Sequence, residues 1–202
     1  MAFIGMRHVV AAEIATESAG SEPTYSTGFD VGLAIAGNLT VNRNDNPLYA
    51  DDAIAEDDNG ITGMELELGL DDLSEETEAD MGLVKKVETS TGEGQSAVTT
   101  VTYYDTDEPS KELGVGYIRV RRKAGVTKYQ AVWVYKAKFS KNSENTATKG
   151  ENIDWQTPTV NGRCVGLDTD GSGVKRFRKK QVFTSESAAA AWLDGLAGIT
   201  RT

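Results

Sequence analysis

Two segments of this chain alternate apolar and polar residues, and this period of two constrains the fold more than any other feature. In 64–70 (MELELGL) Met or Leu alternates with Glu or Gly. In 128–139 (KYQAVWVYKAKF) one parity holds Tyr129, Ala131, Trp133, Tyr135, Ala137 and Phe139. Successive side chains of a strand point to opposite faces of the sheet. Both segments are therefore predicted to be half-buried β-strands.

Further strands are predicted from apolar runs bounded by turn residues. They cover 7–14, 29–41, 97–104, 115–122, 152–159 and the basic segment 174–183. Segment 29–41 is taken as one strand because five apolar residues share a parity, namely Val31, Leu33, Ile35, Leu39 and Val41. Strands 115–122 and 128–139 are expected to form a hairpin with Gly125 in its turn.

Two short helices complete the predicted elements. The first begins after Ser74, a good N-cap, and ends at Gly82. The second runs from about 187 to 196, with an apolar stripe of Ala189, Trp192, Leu193 and Leu196. These elements predict a mainly-β fold: one domain over 1–202, a β-sandwich or partial barrel of seven or eight strands with a flanking helix, a C-terminal helix and a long loop at about 42–60.

The composition excludes several kinds of functional site and argues against a membrane helix or a signal peptide. The single cysteine, Cys164, excludes an internal disulfide and a metal site built only from cysteines. The single histidine, His8, excludes a zinc site with two histidines and argues against a catalytic triad. No apolar run approaches the roughly 18 residues of a membrane helix, and the apolar stretch at the N-terminus is too short for a signal peptide.

Charge is distributed unevenly along the chain. The net charge is −10, yet 14 acids and no base lie between Arg43 and Lys85. Segment 111–183 reverses this balance, with 16 bases and six acids. Such polarity within one domain indicates either pairing inside the chain or contacts between copies that join positive to negative surfaces.

Candidate chemical motifs point to turns and solvated faces. Segment 168–173 (DTDGSG) imitates the start of a calcium loop, but Lys179 stands where the bidentate Glu should be, so a tight turn is predicted. Glu65 and Glu67 could be paired catalytic carboxylates, but no pocket or companion base is evident, which favours a solvated strand face. No catalytic residue, no cofactor and no metal site are expected, and the chain is not expected to be an enzyme.

Two aromatic or basic groups leave alternatives open. Five bases surround Phe177 in 175–180 (KRFRKK), which fits contact with nucleic acid, a solvated segment, or docking against the acidic stretch of another copy. Trp133, Tyr135 and Trp155 could form a platform for sugars, although their alternation with polar residues is more typical of a core or a subunit contact.

Four segments carry a resemblance to a known family. They are 48–56 (LYADDAIAE), 64–73 (MELELGLDDL), 129–139 (YQAVWVYKAKF) and 148–160 (TKGENIDWQTPTV). In combination they resemble the major tail proteins of long-tailed bacteriophages and prophages of Gram-positive hosts, the subunits of the tail tube. The resemblance extends from about Gly5 to the C-terminal helix.

The resemblance implies a structural protein of the virion. Subunits of that family are β-sandwiches with a flanking helix that join edge to edge into hexameric rings, and the rings stack into a tube through which viral DNA passes without specific binding. Implied partners are further copies of the chain and other tail proteins: tape measure, tail terminator and distal tail protein. The implied location is the virion tail, with host cytoplasm during assembly and no membrane. No C-terminal immunoglobulin-like domain is expected.

Two site hypotheses follow from combining the resemblance with the charges. Glu65 and Glu67 are expected to face the lumen, where acidic walls repel DNA phosphates. Segment 42–60 is expected to contact the next ring through Tyr49, Asp51 and Asp52. Its expected basic counterparts are Lys136, Lys138, Lys175, Arg176 and Lys179.

Two alternative functions stay open at this point. One is a tube protein of a contractile tail or of a secretion device, which shares the fold. The other is a β-sandwich module that binds host-surface carbohydrates through Trp133 or Trp155.

Overall fold

The computed structural model describes residues 2–44, 46–50, 53–91, 98–141, 148 and 156–201. These residues form a mainly-β fold with two helices. The strands are β1 (Ala2–Thr16), β2 (Thr24–Gly32), β3 (Ala34–Arg43), β4 (Asn46–Ala50), β5 (Ala53–Asp58), β6 (Ile61–Leu70), β7 (Lys85–Thr91), β8 (Val98–Tyr104), β9 (Leu113–Lys123), β10 (Val126–Ser140), β11 (Thr159–Cys164) and β12 (Arg178–Phe183). The helices are α1 (Glu75–Met81) and α2 (Glu186–Ala197).

Eight strands form one antiparallel sheet, which organises the whole fold. Its order is β2-β1-β9-β10-β11-β6-β3, and β12 is added beside β10. The first part of β10 pairs with β12 and its last residues pair with β11. One core cluster includes residues from β1, β9 and β10 and from β6 and β11, so the two halves of the sheet enclose a common interior. Among the described residues the sheet stays open, because neither of its end strands, β2 and β3, is hydrogen bonded to the other, and β1 is not bonded to β3 either.

A register shift in β10 lets this strand contribute side chains to two hydrophobic core clusters. Its register with β9 shifts between Val134 and Ala137. Before the shift, Trp133 packs in a second core cluster, between the sheet and α2, whereas Val134 packs in the sheet interior. After it, Ala137 and Phe139 face the interior. The prediction that Trp133 and Phe139 share one face is therefore wrong, because a bulge adds a residue and reverses the alternation.

Helix α2 covers the outer side of the sheet over a second cluster. Ala189, Leu193 and Ala197 pack on Val10, Ala12, Ile118, Ala131, Trp133, Tyr135 and Leu167. Ser185 caps the helix by accepting a hydrogen bond from Ala188 N, and Gly198 ends it with a φ of 72°. The predicted helix at 187–196 is confirmed.

The segment 29–41 is two strands rather than one. Gly32 has a φ of +142°, and the chain turns there from β2, at one end of the sheet order, to β3 at the other. Asp71 holds this corner, since its Oδ1 accepts from Leu33 N at 2.9 Å and its own N donates to Leu33 O at 3.0 Å. Leu33 and Ile35 are consequently exposed, although their parity predicted burial.

Strong local signals were predicted correctly. Met64, Leu66, Leu68 and Leu70 are buried along β6, while the glutamates between them are exposed. Helix α1 begins after Ser74, which accepts from Thr77 N, and ends at Gly82 with a φ of 73°. Strands β9 and β10 form the predicted hairpin, with Ala124 and Gly125 at positive φ in its turn.

Several strands lie where none was predicted. The expected long loop at 42–60 contains the hairpin of β4 and β5, and β7 pairs with β8 as a second hairpin. Within the described parts of the chain, neither hairpin is hydrogen bonded to the large sheet. The predicted strand at 152–159 is replaced by β11, which starts at Thr159; residues 152–155 lie outside the described residues.

Candidate assembly surfaces

The face of β6 opposite the core carries the two glutamates proposed for the lumen. Both Glu65 and Glu67 are exposed. Across β11, Glu65 lies opposite Arg163 and Glu67 lies opposite Asn161. Asn42 Nδ2, on β3, donates to Glu65 Oε1 at 3.2 Å. The two carboxylates thus belong to a polar face that spans three neighbouring strands.

This polar face carries both signs of charge. Arg163 is paired in register with Lys138 of β10, so two bases lie beside the glutamates. The sequence pattern predicted the acidic residues of this face but not the bases, because Lys138 and Arg163 come from strands whose pairing is not evident from the sequence. Facing the lumen stays a prediction for Glu65 and Glu67.

Two backbone edges face each other at the opening of the sheet. Among the described strands, β3 pairs only with β6, and the first residues of β1, up to His8, pair only with β9, because pairing of β1 with β2 begins at Val9. A groove between these edges is lined by residues of both strands, including Phe3, Met6, Ile35 and Leu39. The side chain of Ile35 is 57% exposed. Unpaired edges next to apolar side chains are typical places for pairing with another chain.

Lys136, an expected inter-ring base, is paired inside the subunit. Its Nζ lies 2.8 Å from Glu17 Oε2 and 2.6 Å from Glu112 Oε2. Lys138 Nζ lies 3.0 Å from the other oxygen of Glu112. The hydrogen bond from Lys136 is the main reason that the pKa of the Glu112 carboxyl falls below its ordinary value.

Two further expected bases also have acid partners. Lys179 Nζ lies 2.6 Å from Glu22 Oε2, and Tyr135 donates its hydroxyl to Glu22 Oε1 at 2.9 Å. Burial raises the pKa of Glu22, but these hydrogen bonds outweigh it and the pKa falls below its ordinary value. Arg176 pairs with Asp170.

The acidic side of the predicted inter-ring contact is described only in part. Tyr49 lies in β4, while Asp51 and Asp52 lie outside the described residues. Of the bases predicted to meet them, all but Lys175 form ion pairs with other acids of the same subunit. Lys175 is exposed and forms no ion pair with an acid of the described residues. The positions of these residues within one subunit therefore favour other bases for a contact between copies.

The carboxylates of the turn at 168–173 accept hydrogen bonds from groups of the same turn. Asp168 Oδ1 accepts from Gly171 N at 2.8 Å, and Asp168 Oδ2 accepts from Gly173 N at 3.0 Å. Asp170 Oδ1 accepts from Ser172 Oγ at 2.7 Å. The predicted tight turn is confirmed. Across the described parts of the chain, no group of three His, Cys, Asp or Glu side chains is placed to hold a metal ion.

A network around His8 ties the C-terminus to the sheet. His8 has a φ of 54°, and its Nε2 lies 2.9 Å from Asp194 Oδ1 on α2. Arg201 Nε donates to Asp194 Oδ2 at 2.8 Å, and the same guanidinium contacts both oxygens of Asp30 on β2. No sequence pattern predicted this network, because His8 and its partner Asp194 are separated by 186 residues.

Two residues considered for chemistry or binding are core residues. Cys164 is buried, and burial raises the pKa of its thiol to about 11, which keeps it protonated and unreactive. Trp133 is fully buried beneath α2 and is not exposed to a sugar. Trp155, the other tryptophan of the carbohydrate alternative, lies outside the described residues.

Neither helix in the part of the chain that the structure describes has the length and apolar character to cross a membrane. Comparison of the chain with protein-family models and with curated proteins finds no match.

Proposed function

We propose that this protein is the tube subunit of a non-contractile phage tail, in which copies join edge to edge into hexameric rings that stack into a conduit for viral DNA. The observation that carries the proposal is the open sheet, in which β3 and the first part of β1 each leave one backbone edge unpaired among the described residues. Unpaired edges favour addition of strands from another chain, and a closed ring satisfies every edge in turn. Exposed Ile35 lies at the β3 edge and exposed Leu33 in the corner just before β3, and both add apolar area for such a contact.

The polar face of β3, β6 and β11 suits the inner wall of such a ring. If β3 joins a neighbouring subunit, the sheet continues around the ring and this face repeats in every subunit. Glu65 and Glu67 then repel DNA phosphates, while Arg163 and Lys138 on the same face reduce its negative electrostatic potential. A mixed polar wall of this kind lets DNA pass without specific binding.

The proposal assigns no catalysis and no cofactor to the protein. Its partners are further copies of itself, the tape measure, tail terminator and distal tail proteins, and its location is the virion tail after assembly in the host cytoplasm. The same edges also suit a tube protein of a contractile tail or secretion device, and binding of a sheath protein to the assembled tube would distinguish that case.

Electron microscopy of the purified protein tests the proposal. We expect negative staining over rising protein concentration to show rings or tubes. The variant Ile35→Lys places a charge at the β3 edge and is expected to prevent assembly. Val174→Lys is the matched control, since Val174 is exposed to a similar degree (61% against 57%) but lies in a loop.

Two results would overturn the proposal. Wild-type protein that remains monomeric at every concentration and salt would remove the basis for a tube. Assembly of Ile35→Lys as readily as of Val174→Lys would show that the β3 edge is not the ring contact.

A further inference from the structure

Five bases share one side of the sheet near the turn of the β9–β10 hairpin. Three of them alternate along β9, one lies on β10 and one on β12. We call these five bases the basic hairpin face, and its members are Arg119, Arg121, Lys123, Lys128 and Lys180.

Strand register places the basic hairpin face on the same side of the sheet as the core. Tyr117 of β9 and Val132 of β10 are paired, and both pack in the sheet interior. Because β9 alternates regularly, its three bases of the face continue the side of Tyr117. Lys128 is paired with Arg121, and Lys180 is paired with Val132. The face therefore borders the apolar core on the interior side of the sheet.

The basic hairpin face meets no acid among the described residues, unlike most other bases of the fold. The bases that form ion pairs are Arg7, Lys85, Lys86, Lys111, Lys136, Lys138, Lys141, Arg176, Lys179 and Arg201. No member of the face forms one with a described acid, and none has an Asp or Glu as its register partner. The described subunit thus leaves the positive charge of this face without neutralisation.

The surroundings of these bases favour an anion on the face. Arg119 Cζ lies 3.5 Å and Arg121 Cζ 5.2 Å from the centre of the Phe3 ring, so an apolar surface backs both guanidinium groups. Arg121 Nε is buried without a hydrogen-bond partner among the described residues. Burial, reinforced by Arg178 and Arg119, lowers the pKa of Lys180 below its ordinary value. A bound anion would offset this repulsion between bases.

Most of the face lies apart from the surfaces assigned to the tube. Of its five bases, only Arg119 lines the groove between β1 and β3, whose edges are proposed for the ring contact. Lys123, Lys128 and Lys180 are exposed. The proposed lumen face of β3, β6 and β11 lies on the side of the sheet opposite the core, whereas the basic hairpin face lies on the core side.

The spacing of the bases suits a ligand whose negative charges repeat. Alternate residues of a strand lie about 6.6 Å apart, and neighbouring strands lie about 4.8 Å apart. Arg119, Arg121 and Lys123 therefore form a row of positive charges, with Lys128 and Lys180 beside it on the next two strands. Successive phosphates along one strand of nucleic acid are separated by a similar distance, and contacts from Arg and Lys to phosphates supply sequence-independent affinity.

We infer that the basic hairpin face binds the phosphate backbone of double-stranded nucleic acid, without preference for sequence. The inference goes beyond the proposed function, in which DNA passes along a different face without being held. An acidic segment of a second copy is the alternative occupant. The evenly spaced row on β9 favours nucleic acid, because the charges of its backbone also repeat at one spacing.

The site differs from the one that the basic run at 175–180 indicated. Phe177 is buried and cannot stack on a base, while Arg176 and Lys179 pair with acids. Only Lys180 of that run belongs to the basic hairpin face. The other four members come from β9 and β10, whose pairing with β12 is not evident from the sequence.

Titration of the unassembled full-length protein against a short fluorescently labelled DNA duplex tests the inference by anisotropy. With three to five phosphate contacts, the logarithm of the binding constant should fall against the logarithm of salt concentration with a slope of about −3 to −4.5. Lys123→Gln with Lys128→Gln is expected to weaken binding about tenfold or more at low salt and to make the slope shallower by about two. Two duplexes of unrelated sequence should bind alike.

Arg122→Gln with Lys175→Gln is the matched control. It removes the same charge at exposed positions outside the face, because Arg122 lies on the opposite side of β9 and Lys175 lies in a loop. Its affinity and salt slope are expected to stay near the wild-type values. Thermal unfolding checks that both variants fold.

Three results would overturn the inference. They are no binding of the duplex by the wild type at low salt, an equal loss of affinity in the two double variants, and a marked preference for one duplex sequence. Loss of tubes in the Lys123 and Lys128 variant with unchanged affinity for DNA would also overturn it, and would assign the face to a contact between copies. Because the titration uses the unassembled subunit, a failure of the wild type to form tubes would defeat only the proposed function.

Discussion

His8 Nε2 lies 2.9 Å from Asp194 Oδ1, and this contact joins an irregular residue of β1 to the last turn of α2. The register of β1 with β9 shifts between Arg7 and Val10, where His8 adopts a φ of 54°. Asp194 also accepts hydrogen bonds from Arg201, so one nearly buried carboxylate connects the start of the chain, the helix and the C-terminal segment. Such a shared carboxylate makes the docking of α2 dependent on its ionisation.

Stability should fall in acid through Asp194. Burial raises the pKa of Asp194, but hydrogen bonds from Arg201 and His8 outweigh it, so the folded-state pKa lies below the unfolded value of about 4. The resulting stabilisation is present above that unfolded value and is lost as pH falls through the folded pKa. Urea unfolding from pH 7 to pH 3 should show this decline.

The variant Asp194→Asn isolates the contribution of this carboxylate. We expect it to lower the free energy of unfolding at pH 7 by about 1–3 kcal/mol and to flatten the decline in acid. The exposed Asp107→Asn is the control and should leave both quantities near the wild-type values. An equal pH dependence in wild type and Asp194→Asn would contradict the assignment.

Close packing around Gly114 predicts that even a methyl group is too large there. A Cβ at this position of β9 would lie 2.3 Å from Tyr25 Cε1 and 2.6 Å from Trp133 Cζ2. We expect Gly114→Ala to destabilise the fold by about 1–3 kcal/mol. Gly63→Ala on β6 is the matched control, because no atom lies within 4 Å of its added Cβ. Equal midpoints of chemical unfolding in the two variants would show that the packing is looser than described.

Trp133 should dominate the stability of the contact between the sheet and α2. Its ring is fully buried, and the Tyr25 ring lies edge-on to it with centroids 4.9 Å apart. Trp133→Ala is expected to lower the free energy of unfolding by about 3–5 kcal/mol. Trp133→Phe is expected to lose less, because the buried Nε1 has no hydrogen-bond partner among the described residues. A loss in the Phe variant as large as in the Ala variant would contradict this explanation.

The lumen assignment predicts an effect on DNA passage rather than on folding. Glu65→Lys with Glu67→Lys changes exposed residues, so the variant should fold and still form tubes. Positive side chains facing DNA should slow ejection from phage particles that carry the variant. Asp105→Lys with Asp107→Lys, at exposed loop positions that form no ion pair among the described residues, provides the control of equal charge change. Ejection at the wild-type rate from the Glu65 and Glu67 variant would remove these residues from the lumen.

Local chemistry made several elements predictable. The strict alternation in β6, the cap residues Ser74 and Gly82 of α1, and the turn at Gly125 act over a few residues, and the structure confirms each of them. Glu65 and Glu67 were correctly placed on the exposed face of their strand for the same reason. Which larger structure that face lines is a matter of assembly and stays a proposal.

Other features depend on contacts between distant parts of the chain. The bulge in β10 reverses its parity so that Trp133 can face α2 while Phe139 faces the sheet interior. The corner at Gly32 needs Asp71, which comes from the far end of β6. The bulge leaves no signal within its own segment, and the corner leaves only Gly32, an isolated glycine that does not by itself distinguish a turn from a continuous strand.

The amino-acid sequence by itself determined the mainly-β class, the exposed glutamate face, both helices and the polarity of charge, because each depends on residue type and on neighbours within one or two turns or strand repeats. Only the tertiary structure decided which bases meet acids. Lys136 and Lys179 pair with Glu112 and Glu22, whereas Arg119 and Arg178 meet no acid among the described residues, because strand pairing between distant segments sets the distances on which ion pairing depends.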